Sequence, residues 1–216
     1  MDNEDPTLDE LRPRLIAAML PNIAFDGWTP ASVAAGAAAA GIDPDVATLV
    51  FPGGAAEMVD AYTALADARM TASLAAAGVS AMKIRARVTL AVRTRLEQAE
   101  GERETVRRAL AIFALPQNLP LSARTLWRTA DAMWRAIGDT ATDFNYYSKR
   151  TILGGVYAAT LLFWLDDDSD GHAETWGFLD RRIEGIMRFE TIKGRITATN
   201  RPSLARFLGR LRYPAV

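Results

Sequence analysis

No cysteine occurs in the 216-residue chain, and His172 is its only histidine. The first absence excludes disulfides, thiolate zinc sites and cysteine nucleophiles. The second removes the common metal constellations, because a di-iron bundle takes two Glu-x-x-His motifs and a catalytic zinc commonly takes two or three histidines. No charge of one sign dominates either. With 25 basic against 26 acidic side chains, global charge advertises no nucleic-acid partner. A membrane-spanning run is also missing. Residues 151–165 carry no charge, but a spanning helix needs about 20 apolar residues, and Gly154 and Gly155 dilute this run further. The start, MDNEDPTLDE, is acidic and has no apolar core, which opposes a secretory signal or an Arg-rich transit peptide and predicts a cytoplasmic protein.

What is present is helical. Thr7 and Glu10 have capping-box spacing ahead of Leu11, Leu15, Ile16 and Met19, although Pro13 predicts that the regular helix begins only there. Thr29-Pro30 reads as N-cap and first turn of an alanine-rich helix stopping at Gly41. Asp43-Pro44 repeats the device for a short helix ending before Pro52. Further helices are expected near 54–77, 80–98, 102–113, 121–137, 143–165 and 172–195, with a last one opening at Pro202. No segment alternates in the strand manner between hairpin signals. The fold class is therefore all-α, a bundle of about ten helices. Its expected parts are an N-terminal helix-turn-helix-like region at 1–52, a helical body at 53–200 and a C-terminal amphipathic helix at 201–216.

Three short helices before a longer helical body resemble TetR-type regulators, whose third helix enters the major groove. Here that helix, DPDVATLVF, has two aspartates and no Lys or Arg. Residues 1–60 hold ten acids and two arginines, a local charge of 2 − 10 = −8, which repels phosphate. The basic residues Lys83, Arg85, Arg87, Arg93, Arg95, Arg103, Arg107 and Arg108 lie further on, mixed with glutamates. Ile84, Val88, Ala91 and Val92 follow helical spacing, so these charges read as the solvent face of a core helix.

Enzyme signatures fail one by one. Asp166, Asp168, Asp170 and Gly171 match the start of a calcium loop, but the position that requires a bidentate acid is Gly177. An acidic helix–helix turn is the better reading, with His172 exposed in the first turn of the next helix. No phosphate loop follows a strand, and no Ser/His/Asp set stands out. No catalytic residue, metal or cofactor is expected.

Several segments in register carry a resemblance: FDGW at 25–28, LVFPGG at 49–54, LPQN at 115–118, Gly138-Asp139, TDFNYYSKR at 142–150 and ETWGFLDRRI at 174–183. From about residue 11 to 190 the chain resembles the ubiquinone-biosynthesis lipid-binding family known as coenzyme Q protein nine. Local departures are Gln117 where the family has His, Leu161 where it has Glu, and Tyr146 where it often has Trp. The resemblance implies a TetR-like fold that has lost DNA binding. It also implies a polyprenyl quinone precursor or other lipid as ligand, presented to the di-iron hydroxylase of late ubiquinone synthesis. A ligand-responsive transcription regulator is the rival reading, and a small helical enzyme a third.

On the helix at 143–165, Gly154, Gly155, Ala158 and Ala159 remove volume while Phe144, Tyr147, Phe163 and Trp164 add bulk. Such a face either permits close helix packing or leaves room for an apolar ligand. Phe144, Tyr147, Gly154, Gly155, Ala158, Phe163 and Trp164 are the candidate lipid contacts. Asp143, Asn145, Lys149 and Arg150 are expected to tie the helix start to its neighbours. The resemblance points to the segment from Leu115 to Arg135 for the hydroxylase. Leu126, Trp127, Ala130, Met133 and Trp134 form an apolar stripe there, and Leu115, Met133, Trp134 and Arg135 are the candidate contacts. Beyond Lys193 the chain is basic. Leu204, Phe207, Leu208 and Leu211 make one apolar stripe beside Arg206 and Arg210, the pattern of a helix lying on an anionic membrane surface. Peripheral association with the inner membrane and a homodimer through the last long helices complete the expectation.

Overall fold

A computed structural model describes residues 6–140 and 144–199, with side chains at 6–140 and 146–186. Among these residues there are nine α-helices and no strand. The first, α1 (Leu8–Asp26), starts on the Thr7 capping box. The Thr7 hydroxyl accepts from the Glu10 amide at 3.3 Å, and the Glu10 carboxylate accepts from the Thr7 amide at 2.8 Å. The helix therefore begins before Pro13, not at it. Proline removes one N–H, and the carbonyl four residues back, that of Asp9, lies in an exposed turn where water can replace the lost bond. Helices α2 (Pro30–Ala40) and α3 (Pro44–Leu49) begin on Thr29 and Asp43 as their caps require, and α2 ends on Gly41 in the left-handed region. Gly36 lets α2 approach α1 closely: a Cβ there would stand 2.6 Å from Met19 Cγ and 3.2 Å from the Met19 amide nitrogen.

The body consists of α4 (Ala55–Ala76), α5 (Ile84–Glu97), α6 (Arg103–Phe113), α7 (Leu119–Ala136), α8 (Phe144–Leu165) and α9 (Ala173–Thr199). Short 3-10 turns at 79–81, 100–102, 116–118 and 170–172 trim the expected helix limits, so that α5 starts at Ile84 and not near residue 80. Helix α4 packs on α1, α5 and α7; α8 is laid between α7 and α9. Arg12 joins the two parts, donating to Glu57 at 2.8 Å and to the Val50 carbonyl at 3.2 Å. No helix among the described residues is long and apolar enough to cross a membrane. The helix expected at Pro202, with Leu204, Arg206, Phe207, Leu208, Arg210 and Leu211, lies outside the described residues.

Both ends of α8 are held by charge. At its start Lys149 donates to Asp139 at 2.6 Å. The fully buried Arg150 reaches Asp131 at 2.5 Å and Asp139 at 3.2 Å, with its guanidinium 3.5 Å from the Tyr146 ring centre. Asp143 and the side chain of Asn145 lie outside the described residues. At the other end Arg103 donates to the carbonyls of Trp164, Leu165 and Asp167 at 2.6, 3.0 and 2.9 Å, and Arg107 donates to that of Leu165. Cations on the last carbonyls satisfy groups the helix itself cannot.

The acidic turn that follows also has a local purpose. Asp167 accepts from the Ser169 amide at 2.8 Å, the Thr175 amide at 2.8 Å and the Thr175 hydroxyl at 2.5 Å. These bonds hold its carboxyl well below the usual carboxylate range. His172 corrects the expectation of an exposed first-turn residue. It precedes α9 with φ 55°, its side chain is only 18% exposed, and Nε2 lies 2.7 Å from Glu100 Oε2. Its left-handed backbone, together with that of Gly171, turns the ring inward toward Trp164 and Trp176.

A candidate ligand cavity between helices four and eight

The C-terminal half of α8 faces a cavity of about 180 Å³. Its walls come from α4 (Val59, Tyr62, Thr63), α6 (Val106, Ala109, Leu110, Phe113), α7 (Ser122, Thr125, Leu126, Thr129) and α8 (Tyr157, Ala158, Leu161, Leu162), with Arg95 from α5 and Ala99 beyond it. The lining is mostly apolar with a few polar groups, the composition of a small-molecule site. Among its lining residues Leu162 is 59% exposed and Ser122 is half-buried.

Polar groups gather at the buried side. Arg95 donates through Nε to Asp67 at 3.2 Å, Thr129 donates to the other Asp67 oxygen at 2.9 Å, and Tyr62 donates to Glu102 at 2.7 Å. Thr125 donates to Asp60. Desolvation pushes the Asp67 carboxyl above its usual range, against the pull of Arg95 and Thr129. Burial likewise pushes the Tyr62 and Tyr157 phenols up, so both remain neutral donors.

Arg95 is the clearest departure from the sequence reading. It was expected on the solvent face of α5 and is instead 5% exposed. Spacing carries the reason: Arg95 stands four residues after Ala91 and three after Val92, on the stripe that packs inward, and Asp67 supplies the counter-charge there. Ile84, read as part of that stripe, is exposed at the start of α5.

The candidate lipid contacts separate. Ala158 lines the cavity. Gly154 lies at the α7–α8 contact, where a Cβ would sit 3.6 Å from Leu126 Cγ and 3.8 Å from Ala130 Cβ. Gly155 faces open space and Tyr147 is 61% exposed. Phe163 stacks on Phe178 of α9 with ring centres 4.7 Å apart, and Trp164 is fully buried under the Arg103 guanidinium. The side chain of Phe144 lies outside the described residues. Of the candidate partner contacts, Leu115 and Arg135 are exposed and Met133 is fully buried. Trp134 is 9% exposed, donates to the Lys149 carbonyl at 3.0 Å and lies beneath the Lys149 ammonium. Among the described residues no group of three or more His, Asp or Glu is placed to hold a metal.

Three short helices ahead of a helical body with a mostly apolar cavity make an all-α, TetR-like fold. A TetR transcriptional regulator from Nitrosomonas europaea superposes with a TM-score of 0.63 over 81% of this chain and 96% of that one, at 20% identity. That likeness fixes the fold alone. The sequence comparisons go further: the COQ9 family model matches residues 119–190. The ubiquinone biosynthesis protein COQ9, mitochondrial, of Rattus norvegicus is 30% identical over 208 residues, covering 93% of this chain and 66% of that protein. Its Homo sapiens counterpart is 28% identical, with 93% and 65% covered. The chain is similar to COQ9 proteins over 93% of its own length, and it spans just under two thirds of the length of these relatives.

Proposed function

We propose that the protein is a non-catalytic lipid-binding accessory factor of ubiquinone biosynthesis, which binds a polyprenyl intermediate and presents it to the hydroxylase acting late in that pathway. The mostly apolar cavity walled by α4, α6, α7 and α8 carries this reading, together with the ubiquinone-biosynthesis role of the related mitochondrial proteins. An engineered cavity of roughly 150 Å³ holds one benzene ring. At about 180 Å³ this cavity suits a ring-sized head, and a long prenyl tail would leave past the exposed Leu162. The exposed Leu115, just before α7, and the exposed Arg135, in its last turn, are the better probes of hydroxylase docking, because Met133 and Trp134 support the interior. Peripheral attachment to an anionic inner-membrane surface through Leu204, Phe207, Leu208 and Leu211, and a homodimer through α8 and α9, belong to the same proposal.

The TetR-like fold keeps a ligand-responsive DNA-binding regulator as the second reading. Against it, α3 presents Asp43 and Asp45 at its N-terminal end and contains no cation. Mass spectrometry of an organic extract of the purified protein tests the first reading. A prenylated aromatic or quinone lipid is expected, and a protein that melts normally yet carries no lipid and takes none up would overturn it.

A further inference from the structure

The polar groups around the cavity use their hydrogen-bonding capacity unevenly. Tyr62, Thr125 and Thr129 each donate to a carboxylate, and the Thr63 hydroxyl donates to the Val59 carbonyl of its own helix. Among the buried polar groups of the wall, Arg95 and Tyr157 are different. A guanidinium has five N–H donors. Arg95 engages Asp67 through Nε, and neither Nη has an acceptor among the described residues. Tyr157, also 5% exposed, has no partner for its hydroxyl among those residues. The indole N–H of Trp164 is unpartnered too, but it is sealed inside the core, whereas the Arg95 and Tyr157 donors open onto the cavity. Leaving buried donors unused is costly, and a ligand oxygen arriving there recovers that cost.

Charge decides which oxygen fits. Asp67 already matches the positive charge of Arg95, and Glu102 stands behind Tyr62. A carboxylate ligand would approach two existing carboxylates; a neutral acceptor meets two donors without that repulsion. Size decides the rest, since the cavity is scaled to one six-membered ring. We propose that Arg95 and Tyr157 form a head-group subsite that recognises a neutral carbonyl oxygen on a ring lying within the cavity. This rests on the reading of the cavity as a lipid site and names the part of the ligand it selects.

Ligand-observed NMR titration of the full chain with acetophenone, ethylbenzene and benzoate tests the assignment. The three probes share one ring and carry a neutral carbonyl, no oxygen and a carboxylate respectively. Acetophenone is expected to bind about tenfold more tightly than ethylbenzene, as hydrogen bonds from a charged donor allow. Tyr157→Phe, which removes only the hydroxyl, should reduce that preference about threefold. Arg95→Met combined with Asp67→Leu, which removes the ion pair as a unit, should abolish it. Ethylbenzene affinity should change little in both. Equal affinities for acetophenone and ethylbenzene would overturn the subsite while leaving the cavity an apolar-ligand site. Benzoate binding more tightly than acetophenone, or a preference that survives both variants, would also overturn it. Binding of none of the probes would end both the subsite and the reading of this cavity as a ligand site.

Discussion

The three N-terminal helices and the six that follow treat charge in opposite ways. In α1–α3 the interior is apolar apart from Ser32, whose hydroxyl donates to the Gly27 carbonyl at 2.6 Å. The acids of this region stay at the surface. In the body, Arg95, Asp67, Arg150 and Asp167 are buried, each with a partner. Such pairs are costly to desolvate, and replacing one by hydrocarbon is often neutral or stabilising, so they are weak evidence for stability. They fix positions: Arg150 sets the start of α8, Arg103 its end, and Arg95 one side of the cavity. The first region is packed by apolar side chains and keeps its acids at the surface, and the second holds paired charges in its interior.

Breaking the body at its charged joint should have the largest effect. Arg150→Met leaves Asp131 and the buried Asp139 with fewer partners, and urea denaturation should show a loss of about 3 kcal/mol. A loss below about 0.5 kcal/mol would mean that Lys149 and Arg135 suffice for both carboxylates. The N-terminal unit should break through packing instead. Gly36→Ala forces α2 away from Met19 and should cost about 2 kcal/mol. The matched change Gly155→Ala, into open space on α8, should stabilise by about 0.5–1 kcal/mol through helix propensity. Equal effects at the two glycines would erase the contrast.

Acid should act mainly on the body. Burial opposes ionisation of Asp60 and Asp139, but their arginine, lysine and threonine partners hold both carboxyls below the ordinary range. The Ser169 and Thr175 donors do the same for Asp167. A depressed carboxyl contributes stability that is present above its unfolded pKa, about 4, and lost as pH falls through the folded value. Asp67 is shifted upward and acts with the opposite sign, so three groups outweigh one. Melting temperature should therefore hold near neutrality and fall below about pH 4; a flat profile to pH 3 would contradict this. The smallest expected effect is none at all. Duplex DNA should give no discrete complex in a low-salt gel shift at sub-micromolar protein, and salt-sensitive binding there would restore the regulator reading.

Local signals carried much of the fold. Thr7, Thr29-Pro30, Gly41 and Asp43-Pro44 mark three helices within a few residues, because caps and proline act through neighbours in sequence. The cavity was far less legible. Its wall joins Tyr62, Arg95, Thr129 and Tyr157 from four helices, and only tertiary packing brings them together. Arg95 did leave a trace, since it continues the Ala91–Val92 stripe, but a charge on such a stripe has no assigned meaning until Asp67 is seen opposite. Small residues on α8 were equally ambiguous. Gly154 meets α7, Gly155 meets open space and Ala158 meets the cavity, a division set by each position's angle around the helix.

The central claim is that this cavity holds the apolar ligand, and filling it tests that claim most directly. Ala158→Trp projects a large ring into the space from α8. Wild type and variant are purified side by side, checked for equal helicity by circular dichroism, extracted, and their lipid quantified by mass spectrometry. A prenylated lipid is expected in the wild type and a loss of about tenfold or more in the variant, the discrimination that about 1.4 kcal/mol of binding provides. The same lipid at the same amount in both proteins would contradict it.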